Sequence, residues 1–293
     1  MTIPVVHNVA ELRAMTAPWR DRKAIVAIVP TMGALHDGHL SLVRAALDRA
    51  DRVIVSIFVN PKQFDRSDDL AAYPRTLDND LAALQSVGPH LVFAPTAEAV
   101  YPSDFSTTVS VAGPGCDLCG AQRPGHFDGV STVVAKLFLQ SGADLAFFGE
   151  KDYQQLLVVR RMVRDLDIPI EVIGCPTIRE ADGLALSSRN ARLSPGDRRI
   201  APSLVRHLRA AGDRIAAGDA VETVLSDSKA ALIAEGFRKV DYVECRSADD
   251  LRVPARFPGP PNSPVRLLAA AWLGDVRLID NLAVAPPADE PAA

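Results

Sequence analysis

The chain has 293 residues, 48% of them hydrophobic and 23% charged, with a formal net charge of −4. That balance excludes a disordered chain, which needs fewer apolar residues or more net charge. It also excludes a basic binder of nucleic acid or of an anionic membrane. At this length two domains are expected rather than one.

No apolar run reaches the roughly 18 residues that a membrane-spanning helix needs. The N-terminal segment MTIPVVHNVAELRAM lacks the apolar core of a signal peptide. The expected address is cytoplasmic, with no membrane and no nucleic-acid partner.

The run AIVAIV at 24–29 is short, continuous and β-branched, which predicts a strand buried on both faces. A loop, PTMGALHDGH, precedes a helix-spaced segment at 40–50, and a second buried strand follows at 52–59. This strand–helix–strand order is the unit of a parallel sheet. The alternation continues with a helix at 77–87, strands at 90–94 and 107–111, and a helix at 130–140. A strand at 145–148, a helix at 153–166 and a strand at 170–174 complete it. The reading is an α/β fold with a Rossmann-like, doubly wound parallel sheet over residues 1–177.

The pattern changes over residues 178–293. Helices are predicted at 200–217 and 221–235, and strands at 240–246, 265–272 and 276–284. Gly274 and Asp275 suit a tight hairpin turn between the last two strands. FPGPPNSP, ending at Pro264, excludes regular structure, and the tail APPADEPAA reads as mobile. A smaller C-terminal α+β domain is expected.

In open α/β sheets ligands bind beyond the carboxyl ends of the strands. The loop after the first strand carries His36 and His39, three apart at a helix start, with Gly38 between them. Free amides and the helix dipole there favour a phosphate, and imidazoles add donors for a leaving pyrophosphate. An ordinary capped helix with solvent-facing histidines, or a metal site, would also fit the pair alone. After the second strand, Asn60 and Gln63 offer neutral amides for hydroxyls or a carboxylate. After the strand at 145–148 come Gly149, Glu150, Lys151 and Asp152. Lys151 is a cation at a helix start, against the dipole, which favours a functional reading over a structural one. Ser187, Ser188 and Arg189 offer hydroxyls and a guanidinium suited to a triphosphate. Arg123 and His126 open the helix at 130–140 in the same manner. Cys116 and Cys119 form a C-x-x-C pair, but no second pair completes a zinc site, so a plain loop is the expectation.

These segments together resemble pantothenate synthetases, members of the nucleotidyltransferase superfamily with a His-x-Gly-His-type motif. The similar blocks are PTMGALHDGH, SIFVNPKQF, YPRTLDND, RPGHFDGV, FFGEKDYQQL and LALSSRN, in family order. The resemblance implies that pantoate attacks the α-phosphate of Mg-ATP to give pantoyl adenylate and pyrophosphate. The amine of β-alanine then displaces AMP, giving pantothenate. It further implies a nucleotide site built from Met32, Gly33, Ala34, Leu35, His36, Asp37, Gly38 and His39. Gly149, Glu150, Lys151, Asp152, Ile178, Leu186, Ser187, Ser188 and Arg189 complete that site. His39, His36 and Lys151 are the implied catalytic groups. Gln63 and Gln155 would bind pantoate, with Asn60, Tyr73 and Arg123 as further substrate contacts. The implied cofactors are ATP, as co-substrate, and Mg2+, the C-terminal domain is a lid, and the assembly is a homodimer. Two rival readings are a nucleotidyltransferase acting on a phosphorylated substrate and a catalytically silent nucleotide-binding module.

Overall fold

The computed structural model describes residues 2–254 and 264–284. It divides into two compact units, Met1–Thr177 and Ile178–Ala293. The expectations for residues 257–263 of the proline-rich segment and for the tail after Val284 lie outside the described residues.

The first unit holds six strands, all paired in parallel. They are β1 (Val5–Val6), β2 (Val26–Thr31), β3 (Arg52–Ile57), β4 (Leu91–Phe93), β5 (Leu145–Gly149) and β6 (Glu171–Cys175), in the spatial order β1-β4-β3-β2-β5-β6. The helices of this unit are α1 (Val9–Asp21), α2 (Asp37–Leu47), α3 (Ser67–Ala71), α4 (Leu77–Gln85), α5 (Ala97–Val100), α6 (Cys119–Gln122), α7 (His126–Ser141) and α8 (Tyr153–Asp165). The β-branched runs are central because both faces are covered. Val26 to Val29 and Val53 to Val55 are fully buried. One core cluster joins Val29, Val43, Val55, Leu84 and Phe147 across the sheet and its helices.

The fold is the α/β, Rossmann-like sheet expected, with three local differences. Residues 107–111 form no strand. Val109 donates its N–H to Thr132 Oγ1 at 2.9 Å, so the segment is tied to α7 by a side chain rather than to a strand. The helix α1 and the two-residue strand β1 were not expected. Asn8 caps α1 by accepting from the Glu11 amide, and Glu11 in turn accepts the His7 amide at 2.8 Å. The helix expected at 200–217 is α10 (Ser203–Ala216), and a short helix not expected, α9 (Pro195–Ile200), precedes it. Pro202 lies between them and has no amide to continue the ladder.

The second unit adds α11 (Val221–Ala234) and an antiparallel sheet of β7 (Lys239–Ser247), β8 (Val265–Leu273) and β9 (Val276–Val284). Leu273 pairs with Val276 across the expected two-residue turn, where Gly274 has a φ of 52°. Its own core gathers Leu204, Leu208, Phe237, Val243 and Leu267.

Candidate active site

The strand order fixes where a ligand belongs. From β2 the chain steps outward to β3 and β4, then returns to the other side of β2 as β5. The crevice beyond the carboxyl ends of β2 and β5 is therefore the topological switch point. The β2 end leads into residues 32–39, and the β5 end leads into Glu150, Lys151 and Asp152, which form a single 3-10 turn.

The histidines cap the helix between them. His36 is the N-cap of α2, and its Nδ1 accepts the Gly38 N–H at 3.2 Å. Nδ1 of His39 accepts the His36 N–H at 3.3 Å. The ring centroids stand 4.1 Å apart. An amide donor on each Nδ1 places the ring proton on Nε2 in the neutral form. Each imidazole therefore presents an N–H donor on the side away from the backbone it caps. The amides that lead into this helix start are engaged within the chain. The amide of Gly33 donates to Thr31 Oγ1, and those of Ala34 and Leu35 donate to Asp80.

Burial, more than neighbouring charge, favours the neutral form of both rings. Burial pulls the His39 pKa down to about 3, helped by the positive potential of His36 and Lys151 and opposed by Asp152. Burial also lowers His36, with Lys151 next in weight and Asp37 and Asp152 opposing. Lys151 and Asp152 are thus close enough to act on both rings, and their own charged ends are 3.6 Å apart. Glu150 faces another way, lying beside Gly174 and raising the thiol pKa of Cys175 after burial has done so.

Gln63 is held from several sides. Asn60 is 1% exposed and its hydrogen bonds fix its own orientation. Oδ1 accepts from the Lys62 amide at 3.3 Å and from the Tyr101 hydroxyl at 2.8 Å. Nδ2 must then be the donor, to Gly129 O and to Gln63 Oε1, each at 3.0 Å. Gln63 therefore directs its own Nε2 toward Met32 Sδ at 2.9 Å. The main-chain carbonyl of Gln63 accepts from His126 Nδ1 at 2.7 Å and from Arg123 Nη2 at 3.2 Å. Arg123 also bonds Asp65 at 2.9 Å. Tyr73 is buried, with its ring edge-on to Phe64 at 5.6 Å. Gln155 is half-buried on α8. Its neighbour Gln154 faces inward and ties down the preceding loop. Gln154 accepts from the Cys119 amide and donates to the carbonyls of Pro114 and Asp117.

In the second unit, Ile178, Leu186, Ser187, Ser188 and Arg189 share one loop structure. The Leu186 amide donates to Ile178 O at 3.0 Å, and Arg179 bridges Ala185 in antiparallel fashion. Ser187 caps a 3-10 turn, Ser188–Arg192, by accepting from the Arg189 amide. Asn190 braces that turn through Glu180 and Ala185 O. Arg179 is fixed by Asp280 through a two-pronged pair at 2.6 and 2.8 Å.

Sequence reasoning missed Asp80, Gln154 and the structural duty of His126. No local pattern marks a carboxylate that folding will bury against a distant loop. Cys116 and Cys119 are not joined in a disulfide, and Cys119 is buried. Among the described residues, no cluster of three or more His, Cys, Asp or Glu side chains could hold a metal ion. No helix among them is long and apolar enough to cross a membrane.

Known proteins resemble this chain along almost its whole length. A pantothenate synthetase from Chelativorans sp. (strain BNC1) is 60% identical over 288 residues, covering 98% of this chain and all of the relative. The crystal structure of a pantothenate synthetase from Thermus thermophilus superposes with a TM-score of 0.88 at 47% identity, covering 97% of this chain and all of that one. A pantoate-β-alanine ligase from Francisella tularensis, solved in complex with Beta-gamma ATP and β-alanine, gives 0.81 at 32% identity, covering 96% and 97%. A family model for pantoate-β-alanine ligase matches residues 4–283, and with relatives this similar along almost their whole length, the chain belongs to that family.

Proposed function

We propose that this chain condenses pantoate with β-alanine at the expense of ATP, by way of pantoyl adenylate. The observation that carries the reading is the pair of outward Nε2–H donors on His36 and His39, set beside Lys151 at the switch point of the sheet.

In the first half-reaction a carboxylate oxygen of pantoate attacks the α-phosphorus of ATP. The bond from that phosphorus to the bridging oxygen breaks, and pyrophosphate leaves with the electron pair. Negative charge grows on the bridging and β-phosphate oxygens. Two neutral N–H donors and one ammonium are suited to stabilise it, because they bind the departing charge more strongly than the ground state. A neutral ring also keeps its proton in place rather than giving it up. Mg2+, held by the triphosphate oxygens rather than by a cluster of side chains, would supply neutralising charge there. In the second half-reaction the amine of β-alanine attacks the acyl carbon, the carbon–oxygen bond to phosphate breaks, and AMP leaves. The ammonium proton passes to solvent. No covalent enzyme intermediate is required, so positioning and charge stabilisation carry the rate.

For pantoate, Nε2 of Gln63 recognises an acceptor oxygen, and Gln155 supplies a second amide. Asn60 and Arg123 act through Gln63 rather than on the ligand, since their polar atoms are engaged by it and its neighbours. Ser187, Ser188 and Arg189 neutralise the phosphates, and the second unit serves as a lid that keeps water from the acyl adenylate. We also assign a cytoplasmic location and a homodimer, the latter tested by sedimentation.

The deciding experiment measures AMP release with ATP, pantoate and β-alanine, omitting each in turn. Release without pantoate, or no pantothenate with all three present, would overturn the reading.

A further inference from the structure

We infer that Asp80 is a positioning residue for the adenylation step, holding the turn after β2 so that both imidazoles keep their protons on Nε2. The inference rests on the proposed role of the histidines at the phosphates.

Asp80 sits in the first turn of α4 and is 2% exposed. A carboxylate buried this far is costly unless its oxygens are bonded. Both are. Oδ2 accepts the Ala34 amide at 3.0 Å and Oδ1 accepts the Leu35 amide at 2.8 Å. Position early in α4 also favours the negative charge through the helix dipole.

The turn it holds is strained. Gly33 and Ala34 both have left-handed backbones, with φ of 79° and 50°. For Ala34 that conformation costs on the order of 1 kcal/mol and persists only where its surroundings enforce it. Two successive residues of this kind turn adjacent amides to one side, a concavity that commonly receives an anion. Here the chain fills the concavity with its own carboxylate. A Cβ placed on Gly33 would lie 2.9 Å from Asp80 Oδ2, so the glycine is needed for the approach. The amide that follows Leu35 is that of His36, the donor that fixes the tautomer of His39. Asp80 thereby sets the course of the main chain into the capping box. It also places fixed negative charge on one side of the loop, which directs a triphosphate to the histidine side.

The test uses Asp80→Asn and Asp80→Ser in the full chain, with two readouts. In pantoate-dependent ATP–pyrophosphate exchange, Asp80→Asn should lose about 100-fold or more, the scale for a misplaced charge-stabilising donor. Aminolysis of supplied pantoyl adenylate by β-alanine should stay within about threefold of wild type, since no pyrophosphate leaves in that step. Nitrogen-15 NMR should show His36 and His39 as Nε2–H tautomers in the wild type and as mixtures in the variant. Asp80→Ser should give the same split, and it decides by the same criteria if Asp80→Asn does not fold. Folded variants with exchange within about threefold of wild type, or with both half-reactions lost together and unchanged tautomers, overturn the inference. If His39→Ala retains exchange, the assignment of the histidines fails instead, while the tautomer spectra still report whether Asp80 governs them.

Discussion

Nδ1 of His126 donates to the main-chain carbonyl of Gln63 at 2.7 Å, while Nε2 of the same ring accepts from Arg123. A carbonyl can only accept and a guanidinium can only donate, so the ring is neutral with its proton on Nδ1. Burial, then the nearby Arg123 charge, hold its pKa down to about 4. The unfolded chain, with an ordinary histidine pKa of about 6.5, binds more protons than the native state across that interval. Stability should therefore be full above about pH 6.5 and fall as the pH drops toward 4, with a slope approaching ~1 kcal/mol per pH unit. His39, lowered to about 3, adds to the loss over the same range. Urea midpoints measured between pH 7.5 and 4.5 check this, and His126→Gln should flatten the curve. A midpoint that stays constant over the range would contradict it.

His39 has two duties that different substitutions separate. His39→Ala removes both the acceptor for the His36 amide and the outward donor. His39→Asn keeps a short acceptor for the cap but cannot reach outward with Nε2–H. Both should lose about 100- to 1000-fold in adenylate formation. Only the alanine variant should also lose stability, by about 1 kcal/mol, the usual cost of a lost cap. Pyrophosphate exchange and chemical denaturation on the two proteins make the comparison.

Gln63→Glu inverts a polarity without changing shape. Asn60 still donates to one oxygen, as it does to Gln63 Oε1 now. The group in place of Nε2 becomes an acceptor facing the acceptor oxygens of pantoate. The KM for pantoate should rise by about 100-fold, from an unpaired buried polar contact, while the KM for ATP changes little. Equal changes in both constants would argue against Gln63 as the pantoate contact.

Asp280→Asn breaks the pair with Arg179, whose carboxylate partner is 3% exposed. Leaving the part-buried Arg179 guanidinium without its charge partner costs about 2 kcal/mol. The thermal midpoint should fall by several degrees. Because Arg179 anchors the loop with Ser187 and Arg189, the KM for ATP should rise as well. A midpoint within about a degree of wild type would show that the pair is dispensable.

Much of the fold is written locally. The runs at 24–29 and 52–59 are apolar on consecutive positions because α/β layers cover both faces, and β2 and β3 appear within two residues of those runs. The turn at Gly274 follows from the same local chemistry. The α1 helix is poorly marked in the sequence because Pro18, a residue that usually ends a helix, stands inside it. Residues 107–111 show the opposite error, since strand-like composition finds no strand to pair with and docks on Thr132 instead. At the candidate site, the histidine motif and Lys151 are legible from spacing and from charge set against a helix dipole. What Asn60, Asp80 and Gln154 do is not legible, because each acts on a segment brought near only by folding.

The capping box also bears on which foreign ions the molecule tolerates. Histidines three apart on a helix would ordinarily chelate zinc or nickel through two ring nitrogens. Here coordination at either Nε2 would drive that ring's proton onto Nδ1, where it would meet a main-chain N–H head on. Capture of a transition metal would therefore unwind the first turn of α2, and the turn's own hydrogen bonds shield the imidazoles from metal poisoning.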